Sequence, residues 1–119
     1  MNRARGIFIS GTDTGVGKTM IAAALVRSAR KRGLHVAVMK PIETGCKIKD
    51  GMLIPSDGIL LRDAAELDLP IDYVVPIRYR TPVAPLVAAR EEGREVILED
   101  IWEAYKRLAE ADFDLIVVE

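Results

Sequence analysis

A glycine- and threonine-rich run, GTDTGVGKT at residues 11–19, constrains the fold more than any other feature of this 119-residue chain. The apolar segment at residues 7–10 precedes it and predicts a buried strand, and apolar residues at helical spacing over 21–29 predict a helix that ends at Gly33. A glycine-rich turn between a strand and a helix is the setting of a phosphate-binding loop. There, backbone N–H groups and the helix N-terminus attract phosphate oxygens.

The spacing of this loop is a variant of the usual one. The strict pattern G-x-x-x-x-G-K-T requires glycine at position 12, where this chain has Thr12, and the available glycine is Gly11. Within the loop we expect Lys18 to contact the outer phosphates and Thr19 to bind Mg²⁺. The alternative is an ordinary strand-to-helix turn with an exposed lysine, which the Gly-Lys-Thr at the helix start disfavours.

The rest of the pattern predicts a single α/β layer structure with a mostly parallel sheet flanked by helices. Further strands are expected at 35–39 and 115–118, with a short strand or extended segment at 73–77. Further helices are expected at 57–67, with Ser56 as N-cap, at 86–92 and at about 98–111. Residues 43–55 are predicted to be a loop.

Composition excludes several other classes of protein. The chain has 17 basic and 18 acidic residues and no basic block, so a nucleic-acid partner is not expected. No apolar run approaches the roughly 18 residues of a membrane span, so we expect a cytoplasmic protein without a membrane partner. The single cysteine, Cys46, excludes an internal disulfide and any multi-cysteine metal site.

Charged residues follow two of the predicted strands. Lys40 ends the second strand and Glu119 follows the last one. Ligands of open parallel sheets gather outside the carboxyl ends of the strands, so both residues should face the mouth that holds the phosphate-binding loop. Glu119 is then interpreted as a Walker-B-like acid near a metal. Asp57 is equivocal by itself, since an acid at a helix start is also stabilised by the helix dipole.

Four segments in order carry a resemblance to a known family: GTDTGVGKT at 11–19, KPIETG at 40–45, Ser56-Asp57, and the Val-Val-Glu that ends at residue 119. With these, the chain resembles the dethiobiotin synthetases, which have a P-loop NTPase-like α/β fold. The resemblance implies ATP- and Mg²⁺-dependent carboxylation of 7,8-diaminononanoate with CO₂ and ring closure to dethiobiotin, ADP and phosphate in biotin biosynthesis. The intermediates would be a carbamate and a carbamic-phosphoric anhydride.

Members of that family are about twice as long as this chain. The resemblance therefore implies that residues 1–119 are the N-terminal part of a single P-loop ATP-dependent synthetase domain, truncated after the Walker-B-like strand. It also implies a homodimer for the full-length protein.

The resemblance further implies roles for particular residues. The catalytic residues would be Lys40 and Lys18. The residues implied to bind the nucleotide are Gly15, Val16, Gly17, Lys18, Thr19, Met20, Asp57 and Glu119. Those implied to bind Mg²⁺ are Thr19, Asp57 and Glu119, and those implied to bind the diamine are Thr44, Lys40 and Thr14. Gly15 stands where some relatives have Glu, and Thr44 replaces a serine.

Three alternatives stay open at this point. A ParA/MinD-type switch ATPase shares the loop but has a signature lysine where this chain has Asp13. A cobyrinate-synthetase-like amidotransferase domain has similar ATP chemistry, although the Lys-Pro-x-x-Thr-Gly segment favours dethiobiotin synthetase. The third alternative is a nucleotide-binding fragment that is inactive by itself.

Overall fold

The computed structural model describes residues 5–10 and 16–119, and it shows strands alternating with helices. The strands are β1 (Arg5–Phe8), β2 (Val36–Met39), β3 (Ile42–Glu43), β4 (Lys47–Lys49), β5 (Met52–Ile54), β6 (Ile77–Arg78) and β7 (Leu115–Val118). The helices are α1 (Val16–Lys31), α2 (Ser56–Ala64), α3 (Ile71–Val74), α4 (Pro85–Glu92) and α5 (Leu98–Glu110). The expected P-loop-like α/β class is confirmed. No helix in the described ranges is both long and apolar enough to cross a membrane.

The main sheet is parallel and has the order β1-β7-β2. The last strand is thus inserted between the first two, with Val118 of β7 paired to Phe8 on one side and Met39 on the other. Every residue of β2 and β7 is buried, as expected for strands covered on both faces of a parallel sheet. This order brings Lys40, which follows β2, and Glu119, which follows β7, to the same edge of the sheet.

Helices cover both faces of this sheet. On one face, Ala22 and Val26 of α1 and Leu61 of α2 pack against β2 and β7. On the other face, Ala104 and Leu108 of α5 pack against the same two strands. Helix α1 ends in Arg30 and Lys31, whose charges suit the C-terminal end of the helix dipole. The predicted helices at 86–92 and 98–111 are confirmed as α4 and α5.

The first strand differs from the prediction in place and in burial. It spans Arg5–Phe8 rather than 7–10, and all four of its residues are exposed. Both β1 and β2 pair only with β7 in the described part of the chain, but the helices pack on β2 and β7, and neither core cluster on the two faces of the sheet includes a residue of β1. Phe8 is 72% exposed.

The prediction of a loop over 43–55 is wrong. Ile42 and Glu43 form a parallel pair with β6, and β4 and β5 form an antiparallel hairpin. Asp50 and Gly51 turn this hairpin with φ values of 52° and 77°. Asp-Gly is the pair that such tight turns favour, so a signal for the hairpin was present in the sequence.

Two further local predictions are corrected. Residues 71–74 form the one-turn helix α3, and the strand begins only at Ile77, after Pro76. Ser56 is not an N-cap: it is the first residue of α2, and Pro55 occupies the capping position without a side-chain hydrogen bond. The helix N-terminus is satisfied instead by the remote carboxylate of Glu43.

Candidate active site

A cavity of about 190 Å³ opens at the carboxyl edge of the main sheet. It lies between the start of α1, the ends of β2 and β7, and the start of α2. Its lining residues are Lys18, Lys40, Ile42, Thr44, Asp57, Pro85 and Glu119. The structure therefore brings together residues that the sequence singled out from four separate segments. Ile42 and Pro85 were not predicted, and they supply apolar wall.

Thr19 connects the start of α1 to the end of β7. Its hydroxyl donates a hydrogen bond to Glu119 Oε1 at 2.7 Å. The Thr19 residue is 1% exposed and the Glu119 side chain is 5% exposed, so this hydrogen bond is shielded from water. It fixes the Glu119 carboxylate beside the helix that follows the phosphate-binding loop.

Lys40 lies between two carboxylates. Its ammonium donates a hydrogen bond to Asp57 Oδ2 at 3.0 Å, and it forms an ion pair with Glu119 Oε1 at 3.6 Å. Burial by itself lowers the pKa of Lys40, but the hydrogen bond to Asp57 and the charge of Glu119 outweigh it and leave that pKa raised. Lys40 is therefore a fixed positive charge at neutral pH and suits an electrostatic role rather than that of a general base.

Asp57 is held at the N-terminus of α2 by a residue that sequence reasoning missed. Glu43 Oε2 accepts a hydrogen bond from the backbone N–H of Asp57 at 3.1 Å, and Oε1 accepts one from Gly58 at 2.9 Å. Burial raises the pKa of Glu43, although these two N–H donors oppose the shift. Glu43 stands inside the KPIETG segment, but no local spacing rule connects it to a helix that begins 13 positions later.

The oxygens at this edge fit a magnesium ion. Glu119 Oε2 is buried and has no hydrogen-bond partner among the described residues, so a cation would satisfy it. Glu119, Asp57 and the Thr19 hydroxyl all offer hard oxygen donors, the kind that Mg²⁺ prefers. Residues 5–10 and 16–119 contain no group of three or more His, Cys, Asp and Glu residues able to hold a metal ion by themselves.

The other predicted site residues fall into three groups: one lines the cavity, two do not line it, and the rest lie outside the described part of the chain. Thr44 lines the cavity. Gly17 and Met20 are exposed and do not line the cavity. Thr14, Gly15 and the neighbouring Asp13 lie outside the described residues, as does the side chain of Val16.

Residues 5–119 match the sequence profile of the AAA domain family. The chain is 52% identical over 114 residues to the ATP-dependent dethiobiotin synthetase BioD of Thermodesulfovibrio yellowstonii, an alignment that covers 96% of this chain and 47% of the relative. It is 47% identical over 105 residues to the protein of the same name from Anaeromyxobacter dehalogenans strain 2CP-1, which covers 88% of this chain and 45% of that relative. The protein of that name from Aeromonas hydrophila is 38% identical over 115 residues, covering 97% and 51%. The chain thus spans about half the length of the curated relatives it matches.

Proposed function

Since the chain belongs to the AAA domain family, we propose that it provides the phosphate- and carbamate-binding half of an ATP-dependent dethiobiotin synthetase. The proposed reaction joins CO₂ to 7,8-diaminononanoate and closes the ring to dethiobiotin, with ADP and phosphate as the other products. One observation carries the proposal. Lys18 and Lys40 line one small cavity with Asp57 and Glu119, at the start of the helix that follows a phosphate-binding loop. The names of the relatives support it.

The reaction requires positive charge at small oxygens throughout. One amine of the substrate attacks CO₂ to give a carbamate, whose oxygen attacks the γ-phosphorus of ATP and expels ADP. The second amine then attacks the carbonyl carbon of the mixed anhydride, and phosphate leaves as the ring closes. In each step negative charge develops on carbamate or phosphoryl oxygens. Cations held in a fixed arrangement stabilise such charge without reorganising.

Lys40 is the residue that we assign to the reacting group. Its ammonium is mostly buried, with a side chain that is 16% exposed, and it is held by Asp57 and Glu119 rather than free to rotate. A charge fixed in this way suits the carbamate and the phosphoryl group in transfer. Lys18, at the start of α1, lines the same cavity and is assigned to the γ-phosphate and the carbamate.

Thr19, Asp57 and Glu119 would hold Mg²⁺, since Asp57 and Glu119 line the cavity, the Thr19 hydroxyl is hydrogen-bonded to Glu119, and Glu119 Oε2 is buried without a partner among the described residues. A bound Mg²⁺ would neutralise phosphate charge and orient the phosphate chain. The chain's own contribution is to fix these oxygens. The Thr19 hydroxyl fixes Glu119, and Lys40 fixes Asp57.

The remaining assignments follow the resemblance. Thr44 lines the cavity, and its hydroxyl is assigned to the diamine together with Thr14 and Lys40. Backbone groups of Gly15, Val16, Gly17 and Met20 are assigned to the phosphates, a role that exposure of Gly17 and Met20 permits.

We also propose that residues 1–119 form part of one larger synthetase domain, which acts as a homodimer in the cytoplasm. The exposed edge strand β1 and the half-length coverage of the relatives support the larger domain. The same coverage favours a second candidate, in which this chain binds the magnesium nucleotide but turns it over only when joined to the remaining half. The names of the relatives disfavour a cobyrinate-synthetase-like domain and a ParA/MinD-type switch ATPase.

The experiment is incorporation of labelled CO₂ into dethiobiotin. The assay contains ATP, Mg²⁺ and 7,8-diaminononanoate, with either this chain or a chimera extended by the remaining half of the Thermodesulfovibrio relative. Product from the short chain would overturn the inactive-fragment candidate. Product from the chimera alone would support that candidate, and ATPase activity stimulated by DNA or membranes but not by the diamine would contradict a synthetase.

A further inference from the structure

Glu43 is a buried carboxylate to which the proposed reaction assigns no part. It ends β3, and the residue is 4% exposed. Its backbone is fixed by β6, since Glu43 pairs with Arg78 and its carbonyl accepts a hydrogen bond from the N–H of Tyr79 at 2.9 Å. The side chain therefore starts from a backbone position that the small sheet β3-β6 determines.

Both carboxylate oxygens of Glu43 are used at the start of α2. They accept the N–H groups of Asp57 and Gly58. The first N–H groups of a helix have no partner within the helix, and a negative charge there is stabilised by the helix dipole. A residue from a different element thus performs the capping that the sequence assigned to Ser56.

The segment from Lys40 to Glu43 consequently holds Asp57 in two ways. Lys40 binds the side chain of Asp57 through Oδ2, and Glu43 binds its main chain through the N–H. Because a side-chain carboxylate moves with its backbone, the hydrogen bond from the Asp57 N–H to Glu43 restrains the position from which the Asp57 carboxylate extends.

The packing at Gly58 lets the N-terminus of α2 lie close to Glu43. A Cβ atom built at Gly58 would lie 2.1 Å from Val75 Cγ2, far closer than two non-bonded carbon atoms approach each other. The absence of a side chain lets the N-terminus of α2 lie against Val75, where the Gly58 N–H reaches Glu43.

We propose that Glu43 is a positioning residue, which orients Asp57 for Mg²⁺ and nucleotide through the N-terminus of α2. This inference rests on the proposed function. It predicts that loss of the Glu43 carboxylate weakens binding of the magnesium nucleotide specifically, rather than only lowering the stability of the fold.

The test compares the affinity for ATP with and without Mg²⁺, by titration calorimetry at a temperature where every variant is folded. Glu43→Gln keeps one acceptor oxygen, and Glu43→Ala keeps none. We expect Glu43→Gln to weaken Mg-ATP binding about tenfold and Glu43→Ala to weaken it more, with metal-free ATP within about twofold of the unmodified chain. In two control variants, the difference in ATP affinity with and without Mg²⁺ should stay that of the unmodified chain. They are Ser56→Ala, which is exposed at the same helix start, and Leu61→Val, which destabilises the buried face of α2.

Amide hydrogen exchange supplies a readout that does not depend on nucleotide. Exchange at Asp57 and Gly58 should accelerate in Glu43→Gln and stay unchanged in Ser56→Ala. Unchanged exchange, unchanged Mg-ATP affinity, or an equal loss in Leu61→Val would each overturn the positioning role while leaving the proposed function intact. An unmodified chain that binds ATP equally well with and without Mg²⁺ would overturn the proposed function and this inference with it.

Discussion

The hydroxyl of Thr19 donates a 2.7 Å hydrogen bond to the carboxylate of Glu119, which is 100 residues further along the chain. This contact exists because β7 is inserted between β1 and β2, so that the last strand ends beside the helix that follows the phosphate-binding loop. The two residues share an environment nearly closed to water. The metal-binding oxygens that we propose are therefore held by the topology of the main sheet as well as by their local sequence.

Thr19→Val tests this contact, because valine has the shape of threonine without the hydroxyl. It leaves a buried carboxylate oxygen with one donor fewer, and loss of a hydrogen bond to a charged group costs about 1–3 kcal/mol. We expect a lower free energy of unfolding in urea and at least about tenfold weaker Mg-ATP binding. Thr19→Ser keeps the hydroxyl and should therefore retain most of the stability and most of the affinity for Mg-ATP. Equal behaviour of the Val and Ser variants would show that the hydroxyl is unimportant.

Lys40→Ala should reduce dethiobiotin formation by about 10²–10³-fold, the cost of removing one group that stabilises developing charge. Nucleotide affinity should stay appreciable, since the assigned role of Lys40 is on the reacting group. Lys18→Ala is the comparison variant and should weaken both affinity and turnover. The measurements are ATP binding by calorimetry and formation of dethiobiotin, the latter with whichever of the short chain and the chimera makes product. Full activity in Lys40→Ala would refute the assignment.

Gly58→Ala should destabilise the chain through a single steric conflict. The added Cβ would lie 2.1 Å from Val75 Cγ2, and a misfit of this kind in a packed core costs about 1–3 kcal/mol. The same substitution in a Val75→Ala background removes the conflicting methyl group, so its cost should fall. A double-mutant cycle from urea unfolding measures this coupling, and additive costs would contradict the proposed conflict.

The stability of the chain should depend on Glu92 at acidic pH. Backbone N–H donation from Thr81, opposed by desolvation and aided by Arg80 and Arg94, lowers the pKa of Glu92 from 4.5 to about 2. A carboxylate whose pKa is lower in the folded state stabilises the fold above its ordinary pKa. This contribution is lost as the pH falls from about 4.5 toward 2.

Glu92→Gln should therefore be less stable than the unmodified chain at pH 6, and the difference should shrink on acidification. Urea unfolding at several pH values between 6 and 3 measures it. Glu91→Gln, at an exposed neighbouring position, is the control. A difference between Glu92→Gln and the unmodified chain that stays constant with pH would contradict the lowered pKa.

The sequence was sufficient to predict most of the polar residues that line the cavity, but not its apolar wall and not how the polar side chains are held. Lys40 and Glu119 could be predicted because both follow strands of a parallel sheet, and such strands end at one edge. The distance between the Lys40 and Glu119 side chains could not be predicted, because no local pattern indicates that β7 lies between β1 and β2. Glu43 was missed for a similar reason. Its partners belong to a helix that begins 13 positions later, and the pairing of β3 with β6, which fixes the Glu43 backbone, has no signal in the local sequence.

The oxygen balance of the reaction tests the proposed function most directly. If a carbamate oxygen attacks the γ-phosphorus, the released phosphate carries one oxygen that came from CO₂. The reaction is run for a short time with C¹⁸O₂ in unlabelled water, using whichever of the short chain and the chimera makes dethiobiotin. We predict one ¹⁸O in each phosphate released with dethiobiotin, and almost no labelled phosphate from Lys40→Ala. Phosphate without ¹⁸O, formed at the same rate with and without the diamine, would show simple ATP hydrolysis and contradict the proposal.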